Sequence, residues 1–212
     1  MGRGIMLNEY IYAATATLLV VVDPLFTSAI FLGLTNTMTS RQKREVALRA
    51  VIIGFCVLLA SGIGGAKLLT LLGISLSAFR IAGGLLLLSS AAEMVFDRRG
   101  QQMKHDAEQA ISVDHIKNIA AFPIAIPLIA GPGSITAMIL LAGRAEGRFE
   151  YLAALFFVTF GVLVTSFISF MLAGKISSAI GVTGRVVMTR LLGIILAALA
   201  VQFIVDGVLA LR

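Results

Sequence analysis

Residues 123–134 read PIAIPLIAGPGS, an apolar stretch interrupted by three prolines and two glycines. Each proline removes a backbone hydrogen-bond donor and clashes with the preceding turn, so the stretch cannot form an uninterrupted helix. It nevertheless lies within an apolar run from about Ile119 to Leu141, which is long enough to cross a bilayer. Irregular backbone is tolerated at membrane depth where it is buried in protein or lines a cavity. The stretch therefore predicts a broken transmembrane helix.

Six apolar runs, this one included, divide the chain. They extend over about Tyr10–Leu34, Ala47–Leu72, Ala78–Phe96, Ile119–Leu141, Tyr151–Ala173 and Val187–Leu211. The chain is 58% hydrophobic and only 13% charged, so it lacks the polar residues that would cover the surface of a soluble domain. We therefore predict an all-α, polytopic membrane protein with six transmembrane helices.

An internal repeat relates the first three runs to the last three. Asp23-Pro24 breaks the first run, and placing Pro24 over Pro132 aligns residues 23–29 with residues 131–137. Placing Arg80 over Arg190 aligns two Arg-x-x-Gly sequences at nearly the same offset. Because three is an odd number of spans, the two halves must have opposite orientations in the membrane, as in many secondary transporters.

The predicted units follow from this repeat. Residues 1–97 form a first three-helix repeat, residues 98–117 a polar cytoplasmic loop, and residues 118–212 a second, inverted three-helix repeat, with helices 1 and 4 broken. If the chain crosses the membrane six times, the side of the membrane that carries both termini holds six Lys and Arg residues, and the other side holds eleven. The positive-inside rule then places both termini outside the cytoplasm.

Asp23-Pro24 is the first candidate for a functional site. A carboxylate at membrane depth is costly, so Asp23 is expected to face the bundle interior or a wet cavity. The adjacent Pro24 frees backbone carbonyls, and Thr27 lies on the same turn. The combination suits a site for the ammonium group of a substrate, a coupling cation or a proton. The alternative is an Asp that caps the second half-helix after a structural kink, and both interpretations can hold at once.

The Gly131-Pro132-Gly133 break is the second candidate. A half-helix that starts here presents free N–H groups and a positive dipole end, which favour a carboxylate. Ser134 and Thr136 add hydroxyl donors. The alternative is a kinked helix packed tightly by its glycines. The predicted substrate-binding residues are Asp23, Pro24, Thr27, Gly131, Pro132, Gly133, Ser134 and Thr136.

Other polar residues receive structural interpretations. Arg80 and Arg190 are expected to begin their helices and to reach opposite membrane interfaces, with a gating role as the alternative. Asp206 is expected to be interfacial, with a coupling role as the alternative, and Gln202 to form a hydrogen bond across helices. His105 and His115 lie in the polar loop without a recurrent ligand spacing, so no metal and no cofactor is predicted.

Two functional classes are disfavoured. The sequence has no arrangement of nucleophile and base and no glycine-rich phosphate loop after a strand, so we predict no enzyme and no catalytic residues. The basic residues sit at helix ends rather than along a groove with interleaved aromatic residues, so nucleic acid is not predicted as a partner.

Residues 23–35, 79–88 and 123–133 carry a likeness to a known family: the chain resembles the MarC family of bacterial and archaeal inner-membrane proteins. The resemblance implies six spans, location in the cell inner (plasma) membrane, and transport of small neutral amino acids such as glycine and alanine with a cation gradient. The family's first motif usually reads Asp-Pro-x-Gly-Asn-x-Pro. Here Phe26, Thr27 and Ala29 occupy its Gly, Asn and second Pro positions, so pocket size and selectivity are expected to differ.

These observations predict a secondary transporter of a small zwitterionic solute, working by alternating access as one half rocks against the other. A narrow channel and a membrane assembly protein without a transported substrate are the alternatives. The expected partners are the small-molecule substrate, H⁺ or Na⁺ as coupling cation, and membrane lipid, while homo-oligomer formation is left open.

Overall fold

The computed structural model describes residues 6–96 and 119–211, and the elements in these two ranges are helical. The predicted polar loop 98–117, with His105 and His115, lies outside them. The helices are α1 Leu7–Val22, α2 Pro24–Leu34, α3 Ser40–Leu71, α4 Leu76–Val95, α5 Pro132–Arg144, α6 Phe149–Met171 and α7 Ala173–Leu209. Residues Ala120–Ile129 precede α5, and we call them the proline segment. This segment has π-helical turns that are interrupted by extended backbone at Phe122 and Ile126.

The lengths and apolar composition of these elements confirm an all-α, polytopic membrane protein. Five helical stretches are suited to cross a membrane: Leu7–Leu34, Ser40–Leu71, Leu76–Val95, Phe149–Met171 and Thr183–Leu209. The proline segment and α5 meet at an angle of 55° and together make a sixth span when the bent pair is counted as one. The break predicted from residues 123–134 is therefore present.

Helix α3 begins at Ser40, earlier than the start near Ala47 that its apolar run suggests. Thr39 and Gln42 form a capping box, in which the Thr39 N–H donates to Gln42 Oε1 at 2.9 Å and the Gln42 N–H donates to Thr39 Oγ1 at 3.4 Å. Such a box fixes the first turn of a helix without apolar residues. Hydropathy marks only the part of a helix that lies in lipid, so it does not reveal this charged first part.

Helix α7 is also longer than predicted, because it begins at Ala173 rather than near Val187. Its early part is bent at Gly181, whose φ of 66° lies in the region that favours glycine. Arg190 therefore lies well inside α7, and the expectation that it begins a helix is wrong. Arg80 lies in the second turn of α4, close to the expected helix start.

The most extensive helix interface joins α4 to α7. Three glycines allow the two backbones to approach closely: Gly84 faces Ala200, Gly193 faces Ala91 and Gly207 faces Ser77. Residue numbers rise along α4 as they fall along α7, so the two helices are antiparallel. A side chain added at Gly84 would place its Cβ 2.7 Å from the Ala200 carbonyl oxygen.

The other large interfaces also join the two predicted halves. Helix α3 packs against the proline segment and α5, whereas α6 packs against α1 and α2. Within residues 6–96, and again within residues 119–211, helices of the same half contact one another much less. The two halves therefore interlock and share one core.

Candidate functional site

Asp23 forms the break between α1 and α2. Its φ of 47° and ψ of 72° are left-handed, a conformation that Asp and Asn adopt more readily than most residues. The Asp23 N–H donates to the Leu19 carbonyl at 3.0 Å and completes α1. Its Oδ1 accepts the Phe26 N–H at 3.1 Å and thereby caps α2. The capping interpretation of Asp23 is therefore confirmed.

The surroundings of Asp23 are closed to solvent. The residue is only 1% exposed, and Pro24, Thr27 and Ser28 are buried beside it. The Thr27 hydroxyl donates to the Asp23 carbonyl oxygen at 2.9 Å, so it stabilises the turn. A carboxylate buried at membrane depth is costly unless a proton or a cationic group accompanies it. The break thus places a carboxyl group inside the protein.

The second break leaves the start of α5 without a side-chain cap. Gly131 occupies the N-cap position, and α5 begins at Pro132. The N–H groups of Gly133 and Ser134 therefore have no acceptor within the helix. Ser134 and Thr136 are buried, so their hydroxyls lie inside the protein. The helix start presents donors that suit an anionic group.

Gly131 is required for the shape of this turn. A Cβ at this position would lie 2.5 Å from the Pro127 carbonyl oxygen, which is backbone and cannot rotate away. Close approach of one backbone to another is a common reason for glycine.

We expect Gly131→Ala to reduce the free energy of unfolding by about 1–3 kcal/mol, the usual cost of overpacking. The measurement is thermal unfolding of the purified protein in detergent. Gly161→Ala is the matched control, because a Cβ at Gly161 on α6 would meet nothing within 4 Å. Equal stability of the two variants would show that the turn has room for a side chain.

The two breaks lie against each other. A Cβ at Gly133 would lie 3.3 Å from Val21 Cγ1, and Val21 is two residues before Asp23. The same Cβ would lie 3.1 Å from Leu87 Cδ2 on α4. The structure therefore brings the start of α5 to the end of α1. Pro132, by contrast, is exposed and does not line the interior.

One face of α4 closes the side of this candidate site. Gly83 lies directly on the Thr136 methyl group, and the Ser90 hydroxyl lies 3.9 Å from where a Cβ of Gly133 would be. Residues 83, 87 and 90 follow helical spacing, so they share a face. Sequence reasoning missed Leu87 and Ser90, although following that face from the Arg-x-x-Gly motif would have found them.

A second polar cluster lies at the far end of α5. Arg144 Nη2 and Asp206 Oδ2 are 2.6 Å apart, so Asp206 pairs across helices rather than acting only as an interfacial residue. The Gln202 amide donates to Asp206 Oδ1 at 2.7 Å. Gln202 thus bonds within α7, and the expectation of a bond across helices is wrong, because Asp206 lies one turn away on its own helix.

Comparison with known proteins gives a consistent result. The model of the MarC family integral membrane protein matches residues 8–211. A UPF0056 membrane protein of Archaeoglobus fulgidus is 35% identical over 202 residues, covering 94% of this chain and 92% of the relative. The UPF0056 inner membrane protein MarC of Citrobacter koseri is 32% identical, covering 91% of this chain and 90% of the relative. No solved structure matches. The chain belongs to the MarC family of integral membrane proteins.

Proposed function

We propose that this protein is a secondary transporter of a small zwitterionic solute, such as a neutral amino acid. The observation that carries the proposal is the contact between the two helix breaks, which brings the start of α5 beside the Asp23 turn. An amino acid has an ammonium group and a carboxylate on neighbouring atoms. A site with a carboxylate on one side and helix N–H groups on the other matches both.

The two breaks differ in a way that supports this assignment. At the start of α2 a protein carboxylate, Asp23, accepts a helix N–H. At the aligned start of α5 the residue is Gly131, and no side chain caps the helix. The carboxylate of a ligand would fill that place, with the Ser134 and Thr136 hydroxyls as further donors. The negative charge of Asp23 would hold the ammonium group or the coupling cation.

The apolar side chains near the breaks favour a small ligand without a charged side chain. Val21 and Leu87 flank Gly133 so closely that a Cβ there would crowd both side chains, and both are buried. A third charge placed among them would be desolvated without a partner. A solute of the size of glycine or alanine therefore fits the proposal better than a basic or acidic amino acid.

The helix packing supports the inverted repeat. Exchanging the halves maps α1–α2 onto the proline segment and α5, α3 onto α6, and α4 onto α7. The interface of α3 with the second broken span then corresponds to that of α6 with the first, and the α4–α7 interface maps onto itself. A pseudo-twofold axis in the membrane plane gives this pattern. The units 1–97, 98–117 and 118–212 remain our predicted organisation.

Because the halves interlock, rocking of a whole half would be costly, and we propose a smaller movement for alternating access. Rocking would break the α4–α7, α3–α5 and α1–α6 interfaces together. Movement of the short helices α2 and α5 about their breaks exposes the site with less loss of packing. We therefore assign the moving parts to the broken spans and the fixed frame to α4 and α7.

The remaining parts of the proposal concern location and partners. The Lys and Arg distribution supports both termini outside the cytoplasm, and the name of the Citrobacter relative supports an inner-membrane location. H⁺ or Na⁺ is the proposed coupling cation, membrane lipid the surrounding partner, and no enzymatic activity, cofactor or nucleic acid is proposed.

Counterflow in proteoliposomes tests the transporter proposal. Vesicles loaded with unlabelled alanine should accumulate external labelled alanine, and the initial rate should saturate with concentration. Flux that rises without saturation would indicate a channel instead. Absence of flux for any of the small neutral amino acids would favour an assembly role, with protein-free vesicles as the control.

A further inference from the structure

The polar cluster at the far end of α5 joins two helices of the second half through their charged side chains. Arg144, in the last turn of α5, pairs with Asp206 near the end of α7, and the two side chains are 22% and 28% exposed. The Arg144 guanidinium also lies 5.1 Å from the centre of the Phe203 ring, within the range of a cation–π contact. Gln202 holds the other oxygen of Asp206.

Aromatic residues extend this cluster to two more helices. The Tyr10 hydroxyl donates to the Leu141 carbonyl at 2.9 Å and so ties α1 to the last turn of α5. The Tyr10 ring meets the Tyr151 ring of α6 edge to face, with centroids 5.0 Å apart. Tyr10 and Tyr151 are buried. One layer thus connects α1, α5, α6 and α7, and we call it the tyrosine–arginine layer.

Helix α5 links this layer to the candidate site. Its start forms the Gly131–Ser134 turn, and its last turn carries Arg144. Its 13 residues span about 20 Å at the rise of an α-helix. A tilt of α5 about its break therefore moves Arg144 relative to α7. The Arg144–Asp206 pair is partly exposed, and pairs of this kind are weak enough to break and re-form repeatedly.

At the C-terminal ends of α2 and α6, two aromatic rings pack together in place of a charged pair. The Phe31 and Phe170 rings stack with centroids 4.7 Å apart and planes 11° apart, and both are buried. Along the first broken span, Asp23 lies between Tyr10 and Phe31. Asp23 is only 1% exposed, and of the two ends of its span the polar end is the one that a charge substitution can weaken selectively.

We propose that the tyrosine–arginine layer is a gate, and that breaking the Arg144–Asp206 pair opens the site toward the side where α1 begins. The role of the gate in transport rests on the proposed function. The labelling experiment tests the gate whether or not the protein is a transporter. It names the contact that must break on that side in each cycle, while the Phe31–Phe170 stack stays closed.

Thiol accessibility tests the gate without any transported substrate. The single cysteine, Cys56, is replaced by Ser, and Ser134→Cys places a reporter at the start of α5. A membrane-impermeant thiol reagent is then applied from each side of sealed vesicles. With Asp206→Asn, we expect the labelling rate from the side of the termini to rise by about fivefold, the effect of removing a partly exposed ion pair. The rate from the opposite side should not change.

The control is Glu45→Gln, which removes the Glu45–Arg49 pair at 2.6 Å near the start of α3, away from the layer. It should leave labelling from both sides unchanged. An unchanged rate in Asp206→Asn would overturn the gate, and so would an equal rise from both sides, which indicates general loosening. Gated labelling of the Ser134→Cys protein, together with no amino-acid uptake by the protein that retains Ser134, would keep the gate and refute the proposed function.

Arg144→Gln covers the case in which Asp206→Asn does not fold, because it removes the same ion pair from the side of α5. In the Cys56→Ser, Ser134→Cys protein it should also raise the labelling rate from the side of the termini by about fivefold and leave the rate from the opposite side unchanged. Unchanged labelling in folded Arg144→Gln protein would contradict the gate.

Discussion

Asp23→Asn should abolish uptake of small neutral amino acids while the protein still folds and inserts into the membrane. The substitution removes the charge proposed to hold the ammonium group or coupling cation. Loss of one partner of a buried charge pair costs about 2–5 kcal/mol, so we expect a fall in uptake of at least about 30-fold. Folding is spared because Asn retains the oxygen that accepts the Phe26 N–H and tolerates the left-handed φ of 47°.

Two measurements separate the effects on function and on folding. Initial counterflow rates report transport, and thermal unfolding in detergent reports stability. Asp23→Ala is the comparison variant, since it loses the charge and also the cap of α2, which is worth about 1 kcal/mol. It should be inactive and less stable than Asp23→Asn. Wild-type uptake by Asp23→Asn would remove Asp23 from the mechanism.

Gly84→Val should strongly destabilise the protein, because it forces apart the most extensive helix interface. Its Cβ would lie 2.6 Å from Ile204 Cγ1 and 2.7 Å from the Ala200 carbonyl oxygen. The carbonyl cannot turn aside, so α4 and α7 must separate along their shared interface. We expect a loss of about 3 kcal/mol or more, at the upper end of the cost of overpacking.

Yield after membrane extraction and thermal unfolding in detergent measure this loss. Gly64→Val on α3 is the matched control, because it introduces the same β-branched side chain into a helix where a Cβ would meet nothing within 4 Å. If the two variants were equally stable, the close contact between α4 and α7 would not be part of the folded protein.

The membrane class and both helix breaks can be predicted from the sequence because each depends on local chemistry. Proline prevents continuous helix wherever it occurs within a span, and apolar length identifies the span itself. The capping role of Asp23 can also be predicted from local sequence, because its partner Phe26 is only three residues away. Helix starts are less predictable, as Ser40 and Ala173 lie in stretches that hydropathy does not mark as the start of a span.

The features that escape prediction depend on contacts between distant residues. Arg144 and Asp206 are 62 residues apart in sequence, and each alone resembles an interfacial anchor. The interlocking of the halves is also hidden, because hydropathy does not say which spans touch. Phe26 at the family's glycine position is compatible with the cap, because the bond to Asp23 uses its backbone N–H.

Ligand-dependent thermal stability of the purified protein tests most directly whether the two breaks form one zwitterion site. A ligand that binds only the folded state raises the melting temperature. We predict that alanine or glycine raises it, that acetate and ethylamine alone at the same concentration do not, and that Asp23→Asn loses the shift. An equal shift in wild-type protein and Asp23→Asn, or no shift with any small neutral amino acid, would contradict a shared site.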